Sequence, residues 1–297
     1  MAKPWEIPDL HPGMHLDTAA RHVILARFEQ MASYRDAVLE DTDIENLHDM
    51  RVCSRRLRAA WRSFGTLFPG KRIVRFQREA RDITRTLGTV RDLDVMLESL
   101  EKAERRAPGE LLDGFDSFYG YIGSIRAGEF ELLTRALQKW HPNQFIEFFD
   151  QAESDPFAHA VLFEEQAHVV LSALAHEFLS HQPCLTDPTA SEEQHVMRIA
   201  GKRLRYAIEI FASCLSNTGQ LLHILKTVQE DLGTLHDCDV MVESLNYRQR
   251  VCLTLERPTI LWLIEYYRNR RETTYGNLVT SWHKAVDEGF SNLLLAL

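Results

Sequence analysis

The sequence predicts an all-α protein built on a duplicated helical unit. Apolar residues recur at three- and four-residue spacings along most of the chain, and no stretch alternates apolar and polar residues between turn signals. Two sequence blocks also occur twice in the same order. HDMRVCSRRLRAAWRSF from His48 aligns with HVMRIAGKRLRYAIEIF from His195, and LGTVRDLDVMLESL from Leu87 aligns with LGTLHDCDVMVESL from Leu232. The blocks start 39 residues apart in the first half and 37 in the second, so they stay in register. Two copies of so long a unit are a duplication rather than a solenoid.

Taken in order, the first half predicts helices at about 17–40, 46–67, 71–87, 91–106 and 110–139. The breaks fall near Asp43, Pro69-Gly70 and Pro108-Gly109, where the backbone prefers to leave the helix. The second half predicts helices at about 156–181, 192–215, 219–232, 236–251 and 257–287, broken near Pro183, Pro188, Asn217 and Pro258. Asp17 and Ser191 are expected N-caps, with Gln194 completing a capping box behind Ser191. The segment from about 141 to 155 is expected to be a linker between repeats at about 15–140 and 155–290, together one domain spanning 15–290.

Composition narrows the class. With 45% hydrophobic and 26% charged residues in 297, the chain has enough apolar material for a core and is not a disordered polymer. Low glycine and proline, 14 and 10, weigh against turn-rich β folds. No apolar run approaches the roughly 20 residues of a membrane span. The opening MAKPWEIPDLHPG lacks the apolar core of a secretion signal, so a cytoplasmic protein is expected. Cys53, Cys184, Cys214, Cys238 and Cys252 are odd in number and scattered, which fits idle thiols and neither a disulfide framework nor a zinc site.

The net charge of −9 conceals a basic strip. Between His48 and Arg91 twelve cations face three acids, giving +9, while the remaining chain carries −18. Such an asymmetry predicts local attraction of a polyanion by a protein that is acidic overall. On a helical wheel Met50, Cys53, Leu57, Ala60, Trp61, Phe64 and Phe68 form a core stripe. His48, Arg51, Arg55, Arg58 and Arg62 fall on the opposite side, a row about 21 Å long at 1.5 Å per residue. The second copy repeats the pattern, with Met197, Ala200, Leu204, Ile208 and Phe211 inside and His195, Arg198, Lys202 and Arg205 outside. Lys71, Arg75, Arg78 and Arg85 extend the first half's charge, and His223 and Lys226 answer them more thinly in the second. Solvated helix faces normally mix signs, because like charges one turn apart repel. An uninterrupted row, built twice, therefore predicts a bound polyanion.

Asp92, Asp94, Asp237 and Asp239 follow Gly88 and Gly233, and two readings remain open for them. They cap a helix start and pair with the basic rows, or they ligate a hard metal ion. His48 and His195 lead the basic rows, either as phosphate hydrogen-bonders or as structural contacts at a helix start. Walker-type and G-x-G-x-x-G patterns are absent.

The doubled H-x-M-R-[VI]-x-x-x-[RK]-R-L-R and L-G-x-x-x-D-x-D-V frame resembles the CHAD family, the conserved histidine α-helical domain, over about 15–290. The resemblance implies two pseudo-symmetric helical-bundle repeats forming one compact domain around a basic channel or groove. It also implies inorganic polyphosphate as the partner, with possible association with polyphosphate granules. The family's basic positions map onto His48, Arg51, Arg55, Arg56 and Arg58, and onto His195, Arg198, Lys202, Arg203 and Arg205. Lys202 replaces an arginine, losing the bidentate fork, and Glu209 stands where Arg62 stands in the first half. Glu129-Phe130-Glu131-Leu132-Leu133 lacks the lysine of the E-x-E-x-K triphosphatase strand found in some relatives, so a stand-alone, non-enzymatic binder is expected. The full expected binding set is His48, Arg51, Arg55, Arg56, Arg58, Arg62, Lys71, Arg75, Arg78, Arg85, His195, Arg198, Lys202, Arg203, Arg205 and Lys226, without cofactor, metal or membrane. The rival readings are a nucleic-acid binder, disfavoured by the lack of aromatics among the cations, and a phosphate-processing enzyme using the histidines or a metal.

Overall fold

The structure is a computed structural model describing residues 3–40, 43–216, 218–250 and 256–297. The described residues are helical and contain no strand; one isolated bridge between His15 and Leu162 ties the entries of two helices together. The helices are α1 (Leu16–Ala32), α2 (Arg35–Leu39), α3 (Ile44–Phe64), α4 (Lys71–Glu104), α5 (Leu112–Lys139) and α6 (Pro142–Asp150). They continue with α7 (Phe163–Ser180), α8 (Ser191–Ile210), α9 (Thr218–Gln249), α10 (Arg257–Asp287) and α11 (Phe290–Leu295). Among the described residues no helix is long and apolar enough to cross a membrane.

The expected core stripes are inside. Met50, Cys53, Leu57, Ala60, Phe64 and Phe68 are buried, as are Met197, Ala200, Leu204, Ile208 and Phe211. Phe64 and Phe211, from matching positions of the repeated block, meet edge to face at 5.6 Å. Asp43 caps α3, its carboxylate accepting the Glu45 N–H at 2.9 Å.

Several local expectations are corrected. No break follows Gly88 or Gly233: α4 runs for 34 residues and α9 for 32. Asp92, Asp94, Asp237 and Asp239 therefore lie inside helices and cap nothing. Asp17 is in the first turn of α1 behind His15, and Ser191 is the first residue of α8 behind Ala190. Gln194 turns away from the helix start, its amide donating to the Cys184 and Asp187 carbonyls. The linker region holds α6, because Phe145 and Phe149 are apolar enough to be drawn into the core. The expected break at Asn217, the helix end at 251 and Cys252 lie outside the described residues.

The unbroken α4 and α9 organise the molecule, at about 50 Å each by helical rise. A main apolar core gathers α1, α3, α6, α7, α8 and the first halves of α4 and α9. A second, smaller core joins their far halves to α5 and α10, through Leu100, Phe115, Phe118, Met241, Leu263 and Tyr267. Between the two cores, the middles of α4 and α9 face α3 and α8.

Cys53, Cys184 and Cys238 are buried thiols and Cys214 is half-buried. Burial pushes the first three up to about 11, which keeps them protonated and unreactive at neutral pH.

Candidate anion-binding cleft

Where the two cores part, α3, α4, α8 and α9 enclose a cleft of about 540 Å³. Its size is within the roughly 300–1,000 Å³ of small-molecule sites. Helix α3 contributes Arg51, Arg55, Arg58 and Arg62, the expected row without its leading histidine. Helix α8 contributes His195, Arg198, Lys202 and Arg203. The α4 and α9 side carries Asp92 and Asp237 among Val95, Met96, Val240 and Met241. The two basic rows thus face one space, with two carboxylates against six arginines and a lysine.

The glycines that were expected to break α4 and α9 instead admit the arginines. A methyl group on Gly88 would lie 3.7 Å from the Arg51 guanidinium, and one on Gly233 would lie 3.8 Å from Arg198 Nε. Each arginine crosses the neighbouring helix where no side chain stands. Arg51 is held there by Asp92 at 2.7 Å, and Asp237 is the carboxylate nearest in charge to Arg198. The second acid of each D-x-D pair is structural. Asp94 binds Arg126 of α5, and Asp239 binds Arg271 of α10, each at 2.5 Å.

Crowding leaves a mark on these cations. Burial, then Arg55 and Arg198 working against Asp92, brings Arg51 down to about 10. Burial and neighbouring arginines also lower Arg58 and Arg62. Lys202 falls to about 6, through burial and then Arg198, Arg55 and Arg51. Arg203 pairs with Glu177 at 2.7 Å, whereas Arg55, Arg58, Arg62, Arg198 and Lys202 have no ion-pair partner among the described residues. Such a lining attracts anions and is short of counter-charge.

Not every expected residue reaches this cleft. His48 accepts from Arg91 Nε through Nδ1 at 3.1 Å, with Arg91 anchored in turn on Glu98 at 2.6 Å, and it is not among the residues lining the cleft. Arg56 is buried 2.7 Å from Glu209, and Arg205 lies 3.7 Å from the same carboxylate while its guanidinium packs on Tyr206. Glu209 is the reason: where the second copy replaces Arg62 by an acid, it draws nearby arginines into a buried cluster. Lys71, Arg75, Arg78 and Arg85 lie on the exposed face of α4, opposite the buried Ile73, Phe76, Ala80 and Ile83, and do not line the cleft. Arg75 pairs with Glu79 at 2.8 Å and Arg85 with Asp82 at 3.7 Å. Lys226 is paired with Glu230 at 3.7 Å, also outside. The expected excess of charge from the first half shrinks inside the cleft to four cations against three.

His236 was missed. It stands where the first copy has Arg91, so the mismatch between LGTVRD and LGTLHD was the available signal. Its ring packs against His195 at 4.0 Å between centroids and 35° between planes. Tyr206 lines the cleft as well; at 100° per residue it shares the α8 face of His195 and Lys202, and it was likewise not among the expected site residues. No group of histidine, cysteine and acid residues suited to holding a metal ion occurs among the described residues.

Set beside known proteins, residues 22–246 match the family model described as the CHAD domain. Comparison with curated proteins finds no match. The solved CHAD domain from the plant Ricinus communis is similar at 22% identity and a TM-score of 0.73, covering 94% of this chain and 95% of that one. PptA from Streptomyces chartreusis is similar at 14% identity and a TM-score of 0.66, covering 91% of this chain and 100% of that one. Both likenesses are of fold.

Proposed function

The chain belongs to the CHAD domain family, and on that footing we propose that it binds inorganic polyphosphate in the cleft between α3, α4, α8 and α9 without acting on it chemically. The observation carrying this reading is the convergence of Arg51, Arg55, Arg58 and Arg62 with Arg198, Lys202 and Arg203 on one cavity. Polyphosphate is a flexible string of charged units with no bases to read. Guanidinium forks and an ammonium suit it, because each unit offers several acceptor oxygens and no directional code. The proposal takes residues 15–290 as a single domain of two repeats, acting in the cytoplasm and with polyphosphate granules as a possible location.

Direct titration with sodium polyphosphate tests the reading. Cumulative salt screening should weaken binding about a hundredfold between 50 and 200 mM salt if some five phosphates are neutralised. Replacing Arg51, Arg55 and Arg58 together with alanine should lower affinity by about two orders of magnitude while helical circular dichroism is retained. RNA at equal phosphate concentration should displace the chain poorly, since among the described residues Tyr206 is the only phenol or indole of the lining. Unchanged affinity in the triple variant would refute the site, and shortening of the chain with Mg²⁺ or Mn²⁺ would refute the non-catalytic reading.

A further inference from the structure

The two ends of the repeated motif differ in a way that matters for binding. In the first half His48 is engaged by a permanent cation, Arg91. In the second half the corresponding pair is His195 and His236, two imidazoles packed against each other at a tilt, both lining the cleft. Their nearest cations are Arg198 and Lys202. His195 Nδ1 is buried and has no hydrogen-bond partner among the described residues. Two turns along α8 from His195, Lys202 stands where the first half has Arg55. At two of these three positions, those of Lys202 and His236, the first half carries a fixed guanidinium, Arg55 and Arg91, and at the third it has His48.

Most of the charged neighbours of this cluster press in one direction. From α3, Arg51 and Arg55 face Lys202, and from α8 itself Arg198 does. From α9 only Asp237 opposes them; it is shared with Arg198 and faces Arg270 of α10 and Asp92 of α4. Glu177 of α7 is taken by Arg203. In the empty cleft a further proton would add charge to an already uncompensated group of arginines.

We propose that Lys202, His195 and His236 form a proton-loaded part of the anion site, neutral in the empty cleft and protonated as the phosphate chain enters, so that His236 becomes a phosphate-binding residue. The chain's oxygens supply the missing counter-charge, and Lys202 Nζ, then the imidazole nitrogens, take protons from the solvent buffer. No bond to phosphorus forms or breaks. The ligand-free positions agree: Lys202 is held near 6, and burial followed by Arg198, His195 and Lys202 brings His236 to about 4. Burial, Arg198 and Lys202 also lower His195. Lowered groups that lie inside an anion cleft gain protons when an anion arrives.

The inference rests on the polyphosphate reading, and calorimetry separates the two. Long-chain sodium polyphosphate is titrated into the protein at pH 7.5 in buffers of different ionisation enthalpy, which yields the protons taken up per chain bound. Wild-type protein is expected to take up close to one proton, and affinity is expected to rise up to about tenfold per pH unit as pH falls from 8 toward 6. Lys202→Arg carries its charge permanently and should bind with proton uptake largely abolished and little change in affinity over that range. His236→Gln should bind with the uptake below pH 6.5 reduced. Binding by the wild type with no proton uptake overturns this inference and leaves the polyphosphate reading standing. Proton uptake that persists unchanged in Lys202→Arg overturns the assignment to Lys202. Absence of wild-type binding overturns both.

Discussion

Arg56 Nε of α3 lies 2.7 Å from Glu209 Oε2 of α8, and the two side chains are only 5% and 13% exposed. Arg27 of α1 shares the cluster, brought down to about 10 by burial and then by Arg56, with Glu209 pulling the other way. The pair therefore ties together the two helices that carry the cleft's cations. Glu209→Ala leaves two buried guanidiniums beside one another and should destabilise the protein by about 3–5 kcal/mol. The double change Arg56→Met with Glu209→Leu should recover most of that in thermal unfolding, because packed apolar groups of similar volume replace a buried pair at little loss. Equal destabilisation by both variants would show that this cluster is not held together by charge.

Gly88 makes a separate prediction, because its role is to leave room for Arg51. An alanine Cβ there meets Arg51 at 3.7 Å, an ordinary contact. Gly88→Ala should raise stability by about 0.5–1 kcal/mol through lost backbone freedom in the unfolded chain, and leave anion binding intact. Gly88→Leu should push the guanidinium out of place and weaken binding without unfolding α4. Gly114 is the contrasting case. A Cβ there would stand 2.1 Å from Thr259 Oγ1, so Gly114→Ala should lose about 1–3 kcal/mol in denaturant unfolding.

Asp92 restrains the site it lines. Its carboxylate occupies Arg51 at 2.7 Å and repels each phosphate that comes near. Asp92→Asn keeps the shape, frees the guanidinium and removes one like charge. Exposed pairs of this kind contribute about 0.5–1 kcal/mol, so affinity for tripolyphosphate should rise about two- to fivefold. Long chains, which also reach Arg58 and Arg62, should gain proportionally less. Weaker binding of both ligands would mean that Asp92 serves to position Arg51.

The sequence showed the parts of the site that helical periodicity controls. Arg51, Arg55, Arg58 and Arg62 share a face because their spacing returns them to it, and Met50, Cys53 and Leu57 are buried opposite for the same reason. Contacts between helices were out of its reach. Gly88 and Gly233 looked like breaks because a helix interior disfavours glycine, and only the arginine crossing each of them explains the exception. Arg56 is a single residue, about 100° of helical turn, away from Arg55, yet it faces Glu209 in the interior. The α4 cations Lys71, Arg75, Arg78 and Arg85 share a charge sign with the cleft but not its direction. Helix α6 was hidden because Phe145 and Phe149 became core residues only once α1 and α3 were placed beside them.

Lys202 gives the ligand-free protein a pH-dependent stability whose sign follows from its lowered value. An unfolded lysine holds its proton up to about 10.4, whereas the folded one releases it near 6. Between those limits the unfolded state binds more protons, so stability rises with pH, by at most about 1.4 kcal/mol per unit for a single proton. Below 6 both states are protonated and this contribution to the slope vanishes. Thermal unfolding of ligand-free protein between pH 6 and 9, compared with Lys202→Met, isolates the contribution from that of the other titrating groups. The wild type should gain stability across this range relative to the variant, and the variant should be the more stable of the two at pH 6, where the crowded ammonium is most disfavoured. With saturating polyphosphate the difference in slope should disappear, since the bound chain restores the proton. Parallel wild-type and variant curves without ligand would mean that Lys202 is charged in the empty cleft, and that its neighbours are better neutralised than their distances indicate.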